Sequence, residues 1–334
     1  MSGKNLQILL ASRPQGEVRV ENFRLVEAPI PAIGHGEVLV RNHFLSLDPY
    51  MRGRMDDAKS YAAAQPLDEV MIGGTAGEVI ESRNPEFALG DRVIGMLGWQ
   101  LYGKGDGRLV RKVDTSRVPL SAYLGAVGMP GVTAWYGLNR IVAPKAGETV
   151  VVSAASGAVG SVVGQLAKRK GCQVVGVAGG AQKCAIVVDE YGFDACVDYK
   201  AGQLHSDLRA ATPAGIDGYF DNVGGATLDA VLRRMNAFGR IAVCGLISAY
   251  DGQPMPLQNF RSVLVNRLRV EGFIVSEHME LWPEALRELG ALVGAGELKY
   301  RETIAQGLES APQAFIGLLK GRNVGKQLVR LIAP

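Results

Sequence analysis

The stretch of sequence that decides the fold is TVVVSAASGAVGSVVGQLAKR, which runs from Thr149 to Arg169 near the middle of the chain. An apolar strand, Thr149–Ser153, is followed by a turn containing glycine and then by the apolar periodicity of a helix. The turn carries A-x-G-x-x-G, a variant of the dinucleotide-binding fingerprint, in which glycines let the backbone approach a pyrophosphate at a helix N-terminus. An ordinary glycine turn is the alternative, but the strand-turn-helix context favours a dinucleotide site.

Strands and helices alternate after this stretch. Gln173–Val177 reads as a second strand and Ala181–Tyr191 as a helix, and another helix begins with proline in its first turn, at Pro283. Further strand signals lie at residues 195–198, 218–221 and 239–244. This alternation is typical of βαβ units, so we expect a doubly wound parallel sheet.

The first third of the chain has a different pattern. Short strands at Glu37–Asn42, Val70–Ile80 and Asp91–Met96 are separated by glycine turns, which indicates a small barrel or sandwich. The tail returns to mixed elements, with a helix near residues 312–319 and a strand at 326–331. Because a domain has roughly 150 residues, the 334 residues predict two domains in an α/β protein, one β-rich and one built on a parallel sheet.

Composition and charge limit the partners. Lysine and arginine number 36 against 33 aspartates and glutamates, a formal net charge of +3 without any block of like charge. This balance argues against nucleic acid or an anionic membrane as the main partner, since both need a concentrated basic face. The apolar run near Ile8 is too short for a signal peptide. Two uncharged stretches, Val118–Asn139 and Thr149–Ala167, are interrupted as in strand-turn-helix passages, so we expect a cytoplasmic protein.

Cysteine and histidine give no sign of a metal site. The four cysteines lie in the second half of the chain without a CxxC pair, and we expect small buried hydrophobic side chains. The four histidines form no HExxH motif or ligand pair at helical spacing, and no GxSxG motif supports a serine hydrolase. The cysteines are Cys172, Cys184, Cys196 and Cys244.

The end of the second strand bears on the choice of cofactor. Val177-Ala178-Gly179-Gly180 lacks the acidic residue that binds the adenosine ribose 2′-hydroxyl of NAD, and Lys183 follows in the first turn of the next helix. A missing carboxylate and a nearby cation favour a 2′-phosphate, hence NADP. A lysine that is merely solvated on a helix face is the alternative.

Two tyrosines are candidates for chemistry. Tyr250 closes Cys244–Tyr250, which follows a predicted parallel strand at the carboxyl edge where α/β sheets bind ligands. Tyr50 lies in the stretch Asp48–Met55, and for this residue a packing role is at least equally consistent with the sequence.

These motifs resemble the medium-chain dehydrogenase/reductase superfamily, and within it the zinc-free NADP-dependent alkenal and prostaglandin reductases, including bacterial curcumin reductases. The matching stretches cover nearly the whole chain in order. They are Asp48–Met55, Gly128–Gly131, Ala154–Gly160, Asp221–Gly225, Cys244–Tyr250 and Leu319–Lys326. One departure concerns zinc. Zinc alcohol dehydrogenases need a cysteine in the first domain, whereas this chain has none before Cys172, so no metal is expected.

The resemblance implies a GroES-like catalytic domain, residues 1–122 with 300–334, and a Rossmann NADP-binding domain, residues 123–299. It implies that Gly157–Gly160 hold the pyrophosphate and that Lys183 and Tyr199 hold the 2′-phosphate. The implied cofactor residues are Gly157, Ala158, Val159, Gly160, Lys183, Tyr199, Asn222, Cys244, Gly245, Leu246, Ile247, Ser248, Tyr250, Phe273, Ile274, Val275 and Asn323. Family members are commonly homodimers.

The activity that the resemblance implies is NADPH-dependent reduction of the C=C bond of an α,β-unsaturated aldehyde or ketone, a small electrophile. Hydride attack at the β-carbon places negative charge on the carbonyl oxygen, and donors aimed at this oxygen are the main contribution of the protein. Tyr250 and Tyr50 are the predicted catalytic residues, with Tyr102 as a weaker candidate for the pocket wall. The alternatives are an NADPH:quinone oxidoreductase and a non-enzymatic NADP(H)-binding redox sensor.

Overall fold

The computed structural model describes residues 4–252 and 254–332. In these residues the strands are β1 (Lys4–Leu10), β2 (Phe23–Pro29), β3 (Val38–Ser46), β4 (Thr75–Ser82), β5 (Arg92–Gly95), β6 (Tyr102–Gly105), β7 (Val110–Lys112), β8 (Thr149–Ser153), β9 (Gln173–Ala178), β10 (Ala195–Asp198), β11 (Ile216–Asp221), β12 (Met235–Val243), β13 (Arg269–Gly272), β14 (Glu302–Gln306) and β15 (Lys326–Arg330).

The α-helices are α1 (Tyr50–Arg54), α2 (Met129–Tyr136), α3 (Gly160–Arg169), α4 (Ala181–Ala185), α5 (Leu204–Ala211), α6 (Gly225–Leu232), α7 (Ser262–Val265), α8 (Trp282–Gly294) and α9 (Ala311–Leu319). Short 3₁₀ helices lie at Val20–Asn22, Leu120–Leu124, Tyr199–Ala201, Ile247–Ala249, Val275–Glu277, Met279–Leu281 and Leu308–Ser310. Two π-helical segments, Gly137–Val142 and Ile186–Glu190, continue α2 and α4.

The chain separates into two compact units. The first unit contains residues 4–124 and 302–332, and the second unit contains residues 125–301. In the first unit, one sheet has the order β14-β15-β3-β4-β5-β7, β6 also pairs with β3, and β1 and β2 form a separate hairpin. The tail joins this unit because β15 pairs with β3, with Leu328 opposite Ser46. Its core includes the stacked rings of Phe23 and Trp99, whose centroids are 5.3 Å apart.

The second unit is a parallel sheet with the strand order β10-β9-β8-β11-β12-β13. Numbered within the sheet, this is the Rossmann order 3-2-1-4-5-6, in which the order of the parallel strands reverses between β8 and β11. All residues of β8 are buried, as expected for a central strand covered on both faces. The predicted fold class, a β-rich domain with a doubly wound parallel sheet, is therefore confirmed.

The predicted β8–α3 and β9–α4 passages are also confirmed, whereas two expectations for other segments were wrong. Val118–Asn139 contains no strand but a 3₁₀ helix and α2, and α2 lacks charge because every residue from Pro130 to Tyr136 is buried. The expected strand Val70–Ile80 begins only at Thr75, after the Gly73-Gly74 pair. Within the described residues, no helix is long and apolar enough to cross a membrane.

Candidate functional site

In the second unit, the residues predicted to bind the cofactor follow the carboxyl ends of the parallel strands. Gly157–Gly160 follow β8, Lys183 follows β9, Tyr199 follows β10 and Asn222 follows β11. The remaining predicted segments are Cys244–Tyr250, which follows β12, and Phe273–Val275, which follows β13. Because ligands of open α/β sheets bind at this edge, close to the reversal of strand order, the fold brings the predicted segments of this unit to one edge.

The turn between β8 and α3 is shaped by backbone contacts. Ala154 adopts a positive φ of 49°, and the Gly157 N–H donates to the Ala154 carbonyl at 2.9 Å. A Cβ at Gly160 would overlap that same carbonyl, so α3 begins against the turn only because residue 160 is glycine. Val159 precedes α3 and offers no side-chain cap to its N-terminus. The helix therefore presents backbone N–H groups and the positive end of its dipole, as a pyrophosphate requires.

The turn between β9 and α4 holds the predicted 2′-phosphate residues. Gly180 has a φ of 100°, and a Cβ at Gly179 would lie 2.9 Å from the Tyr199 hydroxyl. Lys183 is half-buried, and its burial together with the charge of Lys200 lowers the pKa of its ammonium group. The structure thus brings Lys183 and Tyr199 to one turn, and it adds Lys200, which the sequence reasoning missed.

A buried carboxylate lies where the strand order reverses. The Asp221 Oδ1 atom accepts hydrogen bonds from the Tyr219 hydroxyl at 2.8 Å, Ser153 Oγ at 3.2 Å, and the N–H groups of Val223 and Gly224 at 3.0 and 2.9 Å. Burial raises the pKa of Asp221 despite these donors. The sequence reasoning did not assign a role to Ser153 or Asp221, although each is a polar residue that ends a buried strand.

The same polar group fixes Asn222. Its backbone N–H donates to Ser153 Oγ at 2.9 Å, and its Nδ2 donates to the Ser153 carbonyl at 2.8 Å. Asn222 follows β11, and it is therefore oriented by the end of the neighbouring strand β8.

The Cys244–Tyr250 loop is held by the residues that follow β11. The Cys244 N–H donates to the Asp221 carbonyl at 2.8 Å, and Ser248 Oγ donates to the Val223 carbonyl at 2.6 Å. A Cβ on Gly245 would lie 3.5 Å from the Tyr250 hydroxyl, so this phenol lies close to Gly245. Burial raises the pKa of the Cys244 thiol to about 12, which keeps it protonated at neutral pH.

Phe273–Val275 has a largely structural environment. The ring of Phe273 packs against Tyr136 and Phe220, at centroid distances of 5.3 and 6.2 Å. The Val275 carbonyl accepts a hydrogen bond from the Trp282 indole at 3.1 Å. The Phe273 side chain is therefore used in packing, and this segment can contact a ligand mainly through its backbone.

The remaining candidates belong to the first unit. Tyr50 is the first residue of α1, and burial and the Asp48 carboxylate raise the pKa of its phenol. Asp48 is itself buried and forms an ion pair of 3.1 Å with Lys326. Asn323 precedes β15, and its Nδ2 donates to the Gly325 carbonyl at 2.7 Å. Tyr102 begins β6 and is half-buried.

No group of three or more histidine, cysteine, aspartate or glutamate side chains in residues 4–252 and 254–332 is arranged to hold a metal ion. The cysteines are all free thiols. Cys172 is buried as expected, whereas Cys184, Cys196 and Cys244 are partly buried.

Two family profiles match the chain, one for each kind of domain. Residues 6–113 match the N-terminal domain of oxidoreductase family, and residues 158–291 match the zinc-binding dehydrogenase family.

Relatives and a solved structure match over nearly the full length. The NADPH-dependent curcumin reductase of Escherichia coli is 48% identical over 98% of this chain and 97% of its own. The NADP(+)-dependent 2-alkenal reductase of Nicotiana tabacum is 43% identical over 97% of both chains. The crystal structure of CurA in complex with NADPH from Vibrio vulnificus is 46% identical, covers 98% of this chain and 100% of its own, and superposes with a TM-score of 0.93. The chain therefore belongs to the medium-chain dehydrogenase/reductase superfamily, in the family of NADP-dependent curcumin and alkenal reductases.

Proposed function

We propose that the protein reduces the C=C bond of α,β-unsaturated aldehydes and ketones with NADPH. The observation that carries the choice of NADPH is the β9–α4 turn, where Tyr199 lies against Gly179, Lys183 follows in α4, and no ribose-binding carboxylate stands at the end of β9. Full-length similarity to an NADPH-dependent curcumin reductase and an NADP-dependent 2-alkenal reductase supports the same chemistry.

The residues of the second unit fit NADPH. We propose that the N-terminus of α3 binds the pyrophosphate, Lys183 and Tyr199 the 2′-phosphate, and Asn222 with the segments 244–250 and 273–275 the rest of the cofactor. Glycines stand at this carboxyl edge at Gly157, Gly160, Gly179 and Gly245, so the backbone is presented there without a bulky side chain that would block a ligand. Bound NADPH supplies the hydride. Asn323 is the proposed contribution of the first unit.

Tyr250 and Tyr50 are the proposed donors to the substrate carbonyl oxygen. A phenol there stabilises the enolate more than the neutral carbonyl, which lowers the barrier rather than only KM. The raised pKa of Tyr50 keeps its proton on the phenol at neutral pH, as a donor requires. The substrate α-carbon then takes a proton from solvent or from a tyrosine.

The test is product analysis with a simple enone, together with Tyr250→Phe. We expect the saturated ketone, and a kcat loss that approaches about 10²–10³, the value for a single oxyanion donor, unless Tyr50 shares the oxygen. Tyr123→Phe removes a hydroxyl that donates to the Asp114 carbonyl in the first unit and should leave kcat unchanged.

Four other outcomes would count against the proposal or part of it. An allylic alcohol as product would overturn the reaction class. Turnover of quinones without turnover of enones would favour the quinone oxidoreductase alternative, and NADPH binding without any turnover would favour the redox sensor. Because we propose a metal-free reaction, a rate lost on chelation and restored by zinc would contradict that part.

We further propose a cytoplasmic homodimer. In support of the dimer, β12 is the one strand that pairs with β13 within residues 4–252 and 254–332, and all four residues of β13 are exposed. Large exposed apolar side chains are present on β13 and in the segments leading to it, namely Phe238, Phe260, Leu264, Val265 and Val270. An open strand edge with apolar side chains is suited to pairing with a second chain. Light scattering should give twice the monomer mass, and Val270→Lys should lower it.

A further inference from the structure

We propose that Lys200 is a second 2′-phosphate-binding residue, which acts with Lys183 to make the protein prefer NADPH over NADH. This inference rests on the proposed use of NADPH and extends it to a residue outside the predicted set.

The position of Lys200 is fixed by contacts at the Gly179-Gly180 turn. A Cβ at Gly179 would lie 2.8 Å from Tyr199 Cε1 and 3.0 Å from Lys200 Cε, so both side chains cover the same glycine. The Lys200 ammonium lies 6.0 Å from the centroid of the Tyr199 ring. The side chain of Lys200 therefore reaches the turn from the 3₁₀ helix that follows β10, and Lys183 lies in α4, which begins directly after the same turn.

Asp198 links the two turns. Its Oδ1 accepts hydrogen bonds from the Gly180 N–H at 2.7 Å and from the Lys200 N–H at 2.9 Å. One carboxylate oxygen thus fixes the backbone before α4 relative to the backbone that carries Lys200. These two N–H groups direct the Asp198 carboxylate to the backbone of both turns.

The charges explain why a phosphate fits here. Lys200 is exposed and Lys183 is half-buried, and the pKa of Lys183 is lowered first by its burial and then by the charge of Lys200. Placing two cations together costs folding free energy unless an anion binds between them. A phosphate monoester carries a charge of about −1.5 to −2 at neutral pH and offers three acceptor oxygens, so it relieves the repulsion. The 2′-hydroxyl of NADH does neither.

The experiment measures equilibrium binding of NADPH and NADH, by fluorescence titration without substrate, for Lys200→Gln, Lys183→Gln and the double variant. Lys200→Gln should raise the Kd for NADPH by about 10-fold, the lower end expected for a hydrogen bond between charged groups. The Kd for NADH should change less than about 2-fold. Lys200→Arg should retain most of the affinity for NADPH because it keeps the charge.

Lys170→Gln is the matched control. Lys170 is an exposed lysine that caps the C-terminus of α3, at the opposite edge of the sheet, so it tests for a general loss of positive charge. Its variant should bind both cofactors as the parent protein does.

The outcomes separate this inference from the proposed function. An unchanged Kd for NADPH in Lys200→Gln, or equal losses for NADPH and NADH, would overturn the role of Lys200. NADPH selectivity that depends on Lys200, in a protein that reduces no enone, would support the inference and contradict the proposed activity. A parent protein that binds NADH as tightly as NADPH would contradict both.

Discussion

At the scale of single residues, Asp221 has an unusual environment. Its carboxylate is fully buried and receives four hydrogen bonds on Oδ1, while Oδ2 has no hydrogen-bond partner among the described residues. Burial outweighs these donors and raises the pKa of the carboxyl group above its ordinary value of 3.8. The ionised form therefore costs folding free energy, whereas the acceptor at Oδ1 organises the carboxyl edge of the sheet.

The coupling between protonation of Asp221 and folding gives the first prediction. Because the pKa of Asp221 is higher in the folded state, its favourable contribution to the free energy of unfolding is present below pH 3.8 and is lost as the pH rises through the folded-state pKa. Asp221→Asn keeps an acceptor oxygen and does not titrate. The variant should therefore gain stability relative to the parent as the pH increases from about 4 to 7, measured by urea unfolding.

Asp106→Asn is the control with the opposite sign. Hydrogen bonds from Arg108 lower the pKa of the Asp106 carboxyl, so the stability that it contributes is present above pH 3.8 and is lost as the pH falls. If the free energy of unfolding changed with pH in the same way in Asp221→Asn and in the parent, folding would not raise the pKa of Asp221, and the prediction would be contradicted.

At the scale of elements, α3 depends on two glycines for different reasons. Gly160 allows the helix to begin against the Ala154 carbonyl, which belongs to the turn between β8 and α3. Gly164 lies one turn further along, where a Cβ would overlap the ring of Phe193. The second glycine therefore sets how closely the helix packs on its own unit.

The second prediction concerns this packing. Gly164→Ala gains up to about 1 kcal/mol of helix propensity but overpacks the buried Phe193 ring, which typically costs about 1–3 kcal/mol. We expect a net loss in the free energy of unfolding. The loss caused by Gly164→Ala should be smaller when it is measured in the Phe193→Leu background. Gly53→Ala in α1 meets no atom within 4 Å and should be neutral or stabilising. Additive effects of Gly164→Ala and Phe193→Leu would contradict the contact.

At the scale of the whole molecule, we expect NADPH to stabilise the two units unequally. The proposed NADPH contacts lie at the carboxyl edge of the second unit, except for Asn323 in the first. A ligand that binds only the folded state stabilises it by about 2.7 kcal/mol at 100 times its Kd. Most of that stabilisation should be local to the residues that hold the ligand.

The third prediction follows from this distribution. NADPH at 100 times its Kd should raise the melting temperature of the second unit by about 5–11 °C, since about 1 kcal/mol shifts a unit of this size by about 2–4 °C. Hydrogen exchange should slow at residues 154–160, 178–183, 221–225, 244–250 and 273–275, while the β1–β2 hairpin is the control and should not change. Protection near Asn323 would support its proposed role, and uniform protection across both units would contradict the local assignment.

How far sequence reasoning reached depended on the sequence distance between the residues that act together. The β8–α3 turn was predicted in detail because its strand, glycines and helix are contiguous. Lys200 acts with Lys183 only because β10 pairs with β9, and Ser153 acts with Asp221 only because β11 returns to the side of β8. Strand order is not visible in a local pattern. The strand expected within Val118–Asn139 was wrong because a short uncharged apolar run does not distinguish a strand from a buried helical segment, here the 3₁₀ helix Leu120–Leu124.

The crowded Gly179 has a consequence for how this protein could change its cofactor. Proteins that use NAD place an acidic side chain near the end of the second strand, but here any side chain at residue 179 would meet Tyr199 and Lys200. Aspartate at residue 179 would therefore displace the ends of Tyr199 and Lys200, the side chains proposed to hold the 2′-phosphate, and we expect it to weaken the binding of NADPH. An evolutionary or engineered route to NADH has to clear Tyr199 and Lys200 before, or together with, the change at residue 179.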